Sequence, residues 1–382
     1  MAPKSLDENC ITILGVGSGG HAFAVYAKEK GYSVKIWNRS KQVINAIHSN
    51  NGISATGLIE GHLPVDLATS SIKEAIQNSQ LVMVVTPANA HKEIAKRIAP
   101  YLDKDQIVVL NPGRTGGALE VSNEIRKNNG PFKPKVAEAQ SLLFVARSAK
   151  PASVIIPGIK RKLPVAAFPA FYNDEVVQLL RELNQAFVGV ETVLNTSFDN
   201  IGAIFHPGPL LLNVARCENP EITYRHYIDG ITPTVASFLE KMDEERINVA
   251  HAYGVTAISL KNWLNVVYGS EGDNLHETIQ NTREYQDVLA PSTLDVRYIF
   301  EDVPTGLVPI SSLGIEAGIP TPHIEVIINL ANYMLKTNYY QTGRTTESMG
   351  LADIPSHLLK EYVTLGDDFY IEIKIQQGVM ED

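Results

Sequence analysis

Residues 10–28 read CITILGVGSGGHAFAVYAK, and this stretch predicts a buried strand, a glycine turn and a helix in immediate succession. Residues 10–14 are an apolar, β-branched run of strand length. The glycines that follow have the spacing G-x-G-x-x-G, which allows a tight turn, a close approach of the backbone to a pyrophosphate and close packing of the helix on the sheet. With a second strand signal at residues 32–37, the pattern predicts a dinucleotide-binding site. The predicted cofactor contacts in this turn are Gly15, Gly17, Ser18, Gly19 and Gly20.

The composition fits two ordinary domains with hydrophobic cores, since the chain has 382 residues, of which 44% are hydrophobic and 20% charged. A net charge of −9 argues against nucleic acid as a partner. No apolar run approaches the length of a membrane span, and the N-terminal sequence MAPKSLDENC has no signal-peptide features, so we expect a cytoplasmic protein. Cys10 and Cys217 have no metal-ligand spacing, and we expect core thiols and no metal.

Strand and helix signals alternate in the first half of the chain. Apolar runs at residues 81–86 and 107–110 predict strands buried on both faces of a parallel sheet, with a helix between them at residues 88–99. The runs end in the turns Thr86-Pro87 and Asn111-Pro112. Because ligands bind at the carboxyl ends of such strands, these four residues are candidate cofactor contacts, or else ordinary strand-ending turns. The remaining predicted elements are a helix at residues 174–187 and strands at 136–140, 142–146, 153–156, 165–168 and 188–194.

Strand signals disappear from about residue 196, and residues typical of helix starts and helix ends replace them. Thr232-Pro233 and Thr321-Pro322 each combine an N-cap residue with proline at the first helical position, and Gly254 is a helix stop. We therefore predict an α/β domain of Rossmann type over residues 1–195 and an all-helical domain over residues 196–382.

Two segments of the second half combine residue types that carry chemistry. The first, residues 205–213, reads FHPGPLLLN and contains His206 and Asn213. The second, residues 297–309, reads RYIFEDVPTGLVP. Arginine grips carboxylates with a bidentate fork, and an aspartate can hold an imidazole in one tautomer. A single histidine is more often structural than catalytic, and the sequence does not show whether these segments meet.

The order of motifs GxGxxGHAFA, NPGxTGGALE, HPxPxLLNxARCE, TPxVxxxxEKxDxERxxxA and RYxxEDVxTGLVPxxxLG resembles the opine dehydrogenases, the octopine/nopaline dehydrogenase family, from near residue 11 to about residue 351. The resemblance implies an N-terminal domain that binds a nicotinamide nucleotide and a helical domain like that of 6-phosphogluconate dehydrogenase. It implies an enzyme that joins an amino acid to a 2-oxo acid, with pyruvate expected, and reduces the imine to a secondary amine. It also implies that His206 and Asp302 are the catalytic pair and that Arg297 binds a substrate carboxylate. Asn213 is a candidate to bind the reacting carbonyl or the nicotinamide amide.

The end of the second strand departs from the pattern of an NAD site. An acid that would bind the ribose 2′-hydroxyl is absent there, and the sequence is Asn38-Arg39-Ser40. An arginine followed by a serine suits a 2′-phosphate, so these three residues favour NADP, with NAD possible and a solvated loop as the alternative. A homodimer is expected for this architecture.

Two other functions remain open from the sequence. One is a hydroxyacid or polyol-phosphate dehydrogenase of the same architecture. Such enzymes typically use a lysine a few residues before the asparagine, and residues 200–213 contain no lysine, which counts against this function. The other is a non-catalytic nucleotide-sensing protein on the same fold, because a fold does not fix a function.

Overall fold

The computed structural model describes residues 6–130 and 134–366. These residues form two compact units, the first containing residues up to Thr196 together with 361–366, and the second containing Ser197–Lys360. The division predicted from the sequence assigns residues 361–366 to the helical domain, whereas their contacts lie within the first unit. Residues 1–5 and 367–382, which the predicted domains include, lie outside the described residues. Within the described ranges, no helix is long and apolar enough to cross a membrane.

The first unit is built on a large, mainly parallel sheet with the strand order β12-β11-β8-β7-β6-β1-β2-β5, in which only the β8–β11 pair is antiparallel. A smaller sheet has the order β4-β3-β10-β9. The described strands are β1 (Asp7–Leu14), β2 (Ser33–Trp37), β3 (Ile53–Gly57), β4 (Gly61–Leu63), β5 (Leu67–Thr69), β6 (Ser79–Val84), β7 (Ile107–Leu110), β8 (Lys135–Ala139), β9 (Phe144–Arg147), β10 (Ser153–Ile159), β11 (Leu163–Phe168) and β12 (Phe187–Gly189).

Helices connect these strands, and the first of them packs against the smaller sheet. Phe23 on that helix meets Phe144 of β9 edge to face, with ring centroids 4.9 Å apart. The described helices of this unit are α1 (Ser18–Glu29), α2 (Lys41–Ser49), α3 (Ile72–Ile76), α4 (His91–Ile98), α5 (Gly117–Asn129) and α6 (Asn173–Leu183), with short 3-10 turns at Ala88–Ala90, Ala99–Tyr101 and Ala170–Tyr172. The Rossmann-type fold predicted from the glycine turn is confirmed.

Three predictions of secondary structure in this half were wrong or incomplete. The helix predicted to reach residue 187 ends at Leu183, because Phe187 begins β12 and pairs with Leu163 of β11. The strand predicted at 188–194 ends at Gly189, and a helix, α7 (Val193–Phe198), follows it. Strands β3, β4 and β5 were not predicted, and two of them belong to the smaller sheet.

The second unit is helical, as predicted, and its described residues contribute to no sheet beyond one isolated bridge between Arg225 and Leu289. Its helices are α8 (Gly202–Phe205), α9 (Pro207–Leu212), α10 (Val214–Cys217), α11 (Pro233–Ala252), α12 (Leu260–Tyr268), α13 (Leu275–Gln280), α14 (Arg297–Phe300), α15 (Val308–Ala317), α16 (Pro322–Leu335), α17 (Tyr339–Thr342) and α18 (Leu359–Leu365), the last of which ends in the first unit. A π-helix spans Val303–Leu307, and 3-10 turns lie at Arg283–Tyr285 and Ser356–Leu358.

The acidic and basic residues of the longest helix, α11, hold the helical unit together. The buried Arg246 guanidinium pairs with Asp243 at 2.7 Å and donates to the carbonyls of Phe198 and Ile258. The carboxylate of Glu245 accepts from the backbone N–H groups of His323 and Ile324 and therefore caps the start of α16. The family motif that contains these residues is structural here.

Candidate active site

The glycine turn lies where three strands of the large sheet end together. Gly15 N–H donates to Trp37 O at 2.9 Å, and Val85 N–H donates to Leu14 O at 2.8 Å, so the ends of β1, β2 and β6 lie side by side. Gly15 has a φ of +97°, and a β-carbon there would collide with the end of β6. A β-carbon on Gly20 would collide with the Gly15 carbonyl. These two glycines are therefore required by the fold itself.

Gly17 has a different environment from the other two motif glycines. A β-carbon placed on Gly17 would meet nothing within 4 Å, and the residue is exposed. Helix α1 begins directly after it, at Ser18, and has no side-chain cap. An open space in front of the free N–H groups of a helix N-terminus fits a phosphate, so this turn fits the pyrophosphate of a dinucleotide.

Ser18 of the turn also has a contact that the sequence did not indicate. Its hydroxyl oxygen accepts a hydrogen bond from the backbone N–H of Ser148 at 3.0 Å. Ser148 directly follows β9, so the smaller sheet supports the glycine turn from the side. No motif marks Ser148, and nothing in the sequence predicted this support.

The strand-end turns differ in what they offer to a ligand. The Thr86 hydroxyl oxygen is buried and has no hydrogen-bond partner among the described residues, which fits a contact supplied by a bound molecule. Pro87 beside it is exposed. Asn111 and Pro112 are buried, and the Asn111 side-chain amide donates to Val109 O at 3.3 Å. The side chain of Asn111 is thus engaged within the sheet, although its Oδ1 also has no partner in the described chain.

The end of β2 presents a basic, uncapped helix start. Asn38 Oδ1 accepts from Val16 N–H at 3.1 Å, which ties this strand end to the glycine turn. Arg39 and Ser40 are exposed, and α2 begins at Lys41 without a side-chain cap from Ser40. An exposed arginine, a free hydroxyl and the N–H groups of a helix N-terminus together suit an anion.

In the second unit, the structure brings His206 and Asp302 together. His206 Nδ1 lies 2.7 Å from Asp302 Oδ2, although 96 positions separate the two residues in the chain. Asp302 is fully buried, and the His206 side chain is 13% exposed. An ionised carboxylate can only accept, so Nδ1–H donates, and the lone pair of the neutral imidazole lies on Nε2.

Local breaks in two helical segments position this pair. His206 joins α8 to α9 because Pro207 has no N–H to continue the first helix. Asp302 lies directly before the π-helix, a wide turn that is frequent at functional sites. Gly306 in that turn packs so closely on Ala203 of α8 that a β-carbon would collide. The close approach of these two segments brings the carboxylate to the imidazole.

Two aromatic neighbours of His206 were not assigned from the sequence. The Tyr298 ring lies parallel to the imidazole, with centroids 4.1 Å apart and an interplanar angle of 9°. The fully buried His226 lies 5.0 Å from the same tyrosine ring. Tyr298 directly follows Arg297 in a segment that the sequence had singled out, so its proximity could have been suspected, whereas nothing marked His226.

Arg297 is exposed at the start of α14, and no hydrogen bond to its side chain occurs in the described part of the chain. Burial raises the pKa of Tyr298, and the positive charge of the preceding residue, Arg297, partly offsets that rise. Tyr298 in turn stacks on His206, so Arg297 is one residue along the chain from the ring that covers the imidazole. Its guanidinium is available to an anion.

The fourth predicted site residue of this unit, Asn213, has a different position. Its Nδ2 donates to the carbonyls of Pro209 and Gly230, both at 2.9 Å. Both amide hydrogens are thus used to fix the end of α9, which argues against Asn213 as a donor to a substrate carbonyl.

Family models and known proteins match this architecture in both halves. Residues 189–335 match the α-helical domain of the NAD/NADP octopine/nopaline dehydrogenases, and residues 10–127 match the N-terminus of NAD-dependent glycerol-3-phosphate dehydrogenase. The opine dehydrogenase of Arthrobacter sp. strain 1C is 38% identical over 350 residues, which cover 91% of this chain and 97% of that protein. The chain belongs to the octopine/nopaline dehydrogenase family.

Solved structures agree with this assignment at the level of the fold. An octopine dehydrogenase in complex with NADH and agmatine superimposes with a TM-score of 0.77 at 16% identity, covering 94% of this chain and 98% of the other. A yersinopine dehydrogenase with NADP+ bound superimposes with a TM-score of 0.72 at 16% identity, covering 98% of both chains. The protein is an opine dehydrogenase and an NAD(P)-dependent oxidoreductase. The described residues hold no group of three or more histidine, cysteine or acidic side chains arranged to bind a metal ion.

Proposed function

We propose that this protein, as an oxidoreductase acting on a C–N bond, condenses the amino group of an amino acid with a 2-oxo acid such as pyruvate and reduces the resulting imine to a secondary amine with NAD(P)H. The observation that carries this reaction is the His206–Asp302 pair at 2.7 Å, with the exposed Arg297 next in the chain to Tyr298, whose ring stacks on His206. The pair supplies a base for an amine, and the arginine supplies a binding group for a carboxylate.

His206 is the base in this proposal. An amino acid carries an ammonium group at neutral pH, and only the neutral amine attacks a carbonyl. The Nε2 lone pair of His206 removes that proton because Nδ1 is already committed to Asp302. Histidine is suited to this exchange, because its imidazole can accept the proton of the amine and later release it to the departing oxygen. The released proton leaves with the carbonyl oxygen as water.

Asp302 stabilises the charge on His206, and Arg297 orients the oxo acid. The buried carboxylate of Asp302 fixes the tautomer of His206 and stabilises the imidazolium that forms when the amine loses its proton. Arg297 binds the carboxylate of the oxo acid with its fork, which fixes the face of the reacting carbon. Catalysis in this account is proton transfer combined with positioning.

The nicotinamide nucleotide supplies the hydride when it is bound. The residues that would hold it are those of the glycine turn, where Gly17 leaves space for the pyrophosphate, and the Thr86 hydroxyl at the end of β6. We propose that Arg39, Ser40 and the start of α2 bind the 2′-phosphate of NADP, with Asn38 as the support of the turn. The yersinopine dehydrogenase bound to NADP+ and the octopine dehydrogenase bound to NADH have the same fold, so either nucleotide is compatible with it.

The cofactor proposal is tested by Arg39→Ala. The substitution removes a partner for the 2′-phosphate of NADP, whereas NAD has no phosphate there to lose. We therefore expect kcat/KM with NADPH to fall by about 10- to 100-fold, as the loss of one charge-assisted hydrogen bond predicts. The value with NADH should stay within about 3-fold. Arg161→Ala is the control, since it removes an exposed arginine of the same unit that belongs neither to the glycine turn nor to the start of α2. Equal losses with both nucleotides would refute the assignment.

The reaction itself is tested by a matrix of amino acids and 2-oxo acids with NADPH or NADH. The proposal expects nucleotide oxidation only when both an amine and an oxo acid are present. Oxidation with an oxo acid alone would indicate a hydroxyacid dehydrogenase, and none with any pair would indicate a nucleotide sensor. The homodimer and the cytoplasmic location stay predictions from the sequence.

A further inference from the structure

The imidazole of His206 is held on two sides, at its edge by Asp302 and on its face by Tyr298. The edge contact is the 2.7 Å hydrogen bond to Nδ1, and the face contact is a nearly parallel ring at 4.1 Å. A hydrogen bond alone still allows a small rotation of the imidazole plane about the Cβ–Cγ bond. A flat ring at stacking distance prevents that rotation, so the direction of Nε2 depends on Tyr298.

His226 supports both members of this stack. Its Nε2–H donates to the carbonyl of Phe205, the residue before His206, at 3.3 Å. Its ring lies 5.0 Å from that of Tyr298, and it is fully buried. Its other nitrogen, Nδ1, is buried and has no partner in the described chain. His226 therefore fixes the backbone on one side of His206 and the tyrosine ring on the other.

Several charged and aromatic groups surround His206 in the second unit. Asp302 contributes a negative charge at the ring edge, and Tyr298 presents the electron-rich face of an aromatic ring to the imidazole. The neighbouring His226 adds no positive charge at neutral pH, because burial and the proximity of His206 lower its pKa to about 4. Arg297, the residue before Tyr298, acts on this tyrosine with its positive charge, which partly offsets the rise of the tyrosine pKa that burial causes.

We propose that Tyr298, backed by His226, is a positioning residue for His206 that fixes the direction of Nε2 and stabilises the imidazolium through its ring face. The inference rests on the proposed function for its catalytic consequence only, because the effect on the imidazole itself is measurable without any substrate. The ring carries the role, and the hydroxyl group of Tyr298 is not needed for it.

The experiment replaces Tyr298 in the full chain by phenylalanine, 4-fluorophenylalanine and pentafluorophenylalanine, which keep the shape of the ring while the electron density of its face falls. The midpoint of His206 protonation is followed by carbon-13 NMR of the imidazole, and kcat and KM are measured against pH. We expect phenylalanine to stay within about 3-fold of the native kcat, and the pentafluoro variant to lower the proton affinity of His206 by about 2- to 30-fold, the range of cation–π interactions. The acid limb of the pH profile should move to lower pH by the corresponding amount, with intermediate values for 4-fluorophenylalanine.

Tyr298→Leu complements this series, since it removes the stack altogether and should lower kcat by about 10-fold or more while the KM for the nucleotide is kept. The same fluorinated residues are placed at Tyr333, a surface tyrosine that is 83% exposed, to control for effects of incorporating an unnatural amino acid. A His206 midpoint that is constant across the fluorinated series would overturn the inference, as would a phenylalanine variant as impaired as the leucine one. These results are separable from the proposed function: if the midpoint follows the series but His206→Ala leaves turnover intact, the contact with Tyr298 is correct and the proposed role of His206 is wrong.

Discussion

The buried hydrogen bond between Asp302 and His206 predicts a specific effect of Asp302→Asn. The substitution keeps the size of the side chain and removes its charge. Unit charges about 4 Å apart attract each other by about 4 kcal/mol at an effective dielectric constant near 20, which gives the scale of the interaction. Hydrogen bonds to charged groups contribute about 1.5 to 3 kcal/mol net, and this range applies to the fully buried Asp302. The imidazolium of His206 should be destabilised by about this amount.

The loss of the Asp302 charge should shift the pH profile in a defined direction. Because the carboxylate stabilises the imidazolium, Asp302→Asn disfavours the protonated form, and the neutral base persists to lower pH. The acid limb of kcat/KM should therefore shift down by about 1 to 2 pH units, and kcat at neutral pH should fall by about 10- to 150-fold.

The assay for Asp302→Asn is steady-state kinetics from acid to neutral pH with both substrates, together with thermal unfolding to check the fold. Asp295→Asn is the matched control, because Asp295 is exposed and lies a few residues before the segment that contains Asp302. A kcat and a pH profile that are unchanged in Asp302→Asn would refute the reasoning, since a buried charge at 2.7 Å cannot be removed from a working base without effect.

Further predictions test the glycine turn, the helical scaffold and the substrate arginine. Gly17→Ala should weaken nucleotide binding by about 10-fold or more without lowering the melting temperature. Gly20→Ala should lower the melting temperature, because a β-carbon on Gly20 would collide with the backbone and one on Gly17 would not. Equal melting temperatures of the two variants would contradict this. Glu245→Ala should destabilise the protein by about 2 to 3 kcal/mol in urea unfolding, since it uncaps α16, against a change within about 0.5 kcal/mol for the exposed Glu244→Ala. Arg297→Lys should raise the KM for the oxo acid by about 5- to 150-fold and leave nucleotide affinity unchanged; an effect on the nucleotide alone would assign the arginine to the other site.

The parallel part of the fold could be predicted because its signals are local. A strand such as residues 107–110 is a continuous apolar run between turn residues, and it was predicted with the bounds that it has. The smaller sheet could not be predicted in the same way. Its strands β3 and β4 are short and half exposed, and each contains a glycine; β3 is held by pairing with β10, about 100 residues away, and β4 pairs with β3. The start of α7 was missed although side chains cap it: the Thr192 hydroxyl accepts from Leu194 N–H, and Asn195 Oδ1 accepts from Thr192 N–H.

The candidate site shows the same limit. Residue types and motif order were sufficient to select His206 and Asp302, but their contact depends on the close packing of the π-helix on α8, which no local pattern encodes. Tyr298 and His226 were missed for a related reason. An aromatic residue in an apolar segment is usually core, and only the three-dimensional structure shows which ring lies against the imidazole.

The central claim, that the hydride is delivered to an imine formed from two substrates, is tested most directly by following the hydride. Nucleotide deuterated at the transferred position is incubated with the enzyme, pyruvate and an amino acid, and the products are analysed by mass spectrometry and NMR. We expect deuterium on the carbon of the secondary amine that comes from the oxo acid, and none in any product when the amino acid is left out. Deuterium in the hydroxy acid derived from pyruvate, with no secondary amine formed, would contradict the account.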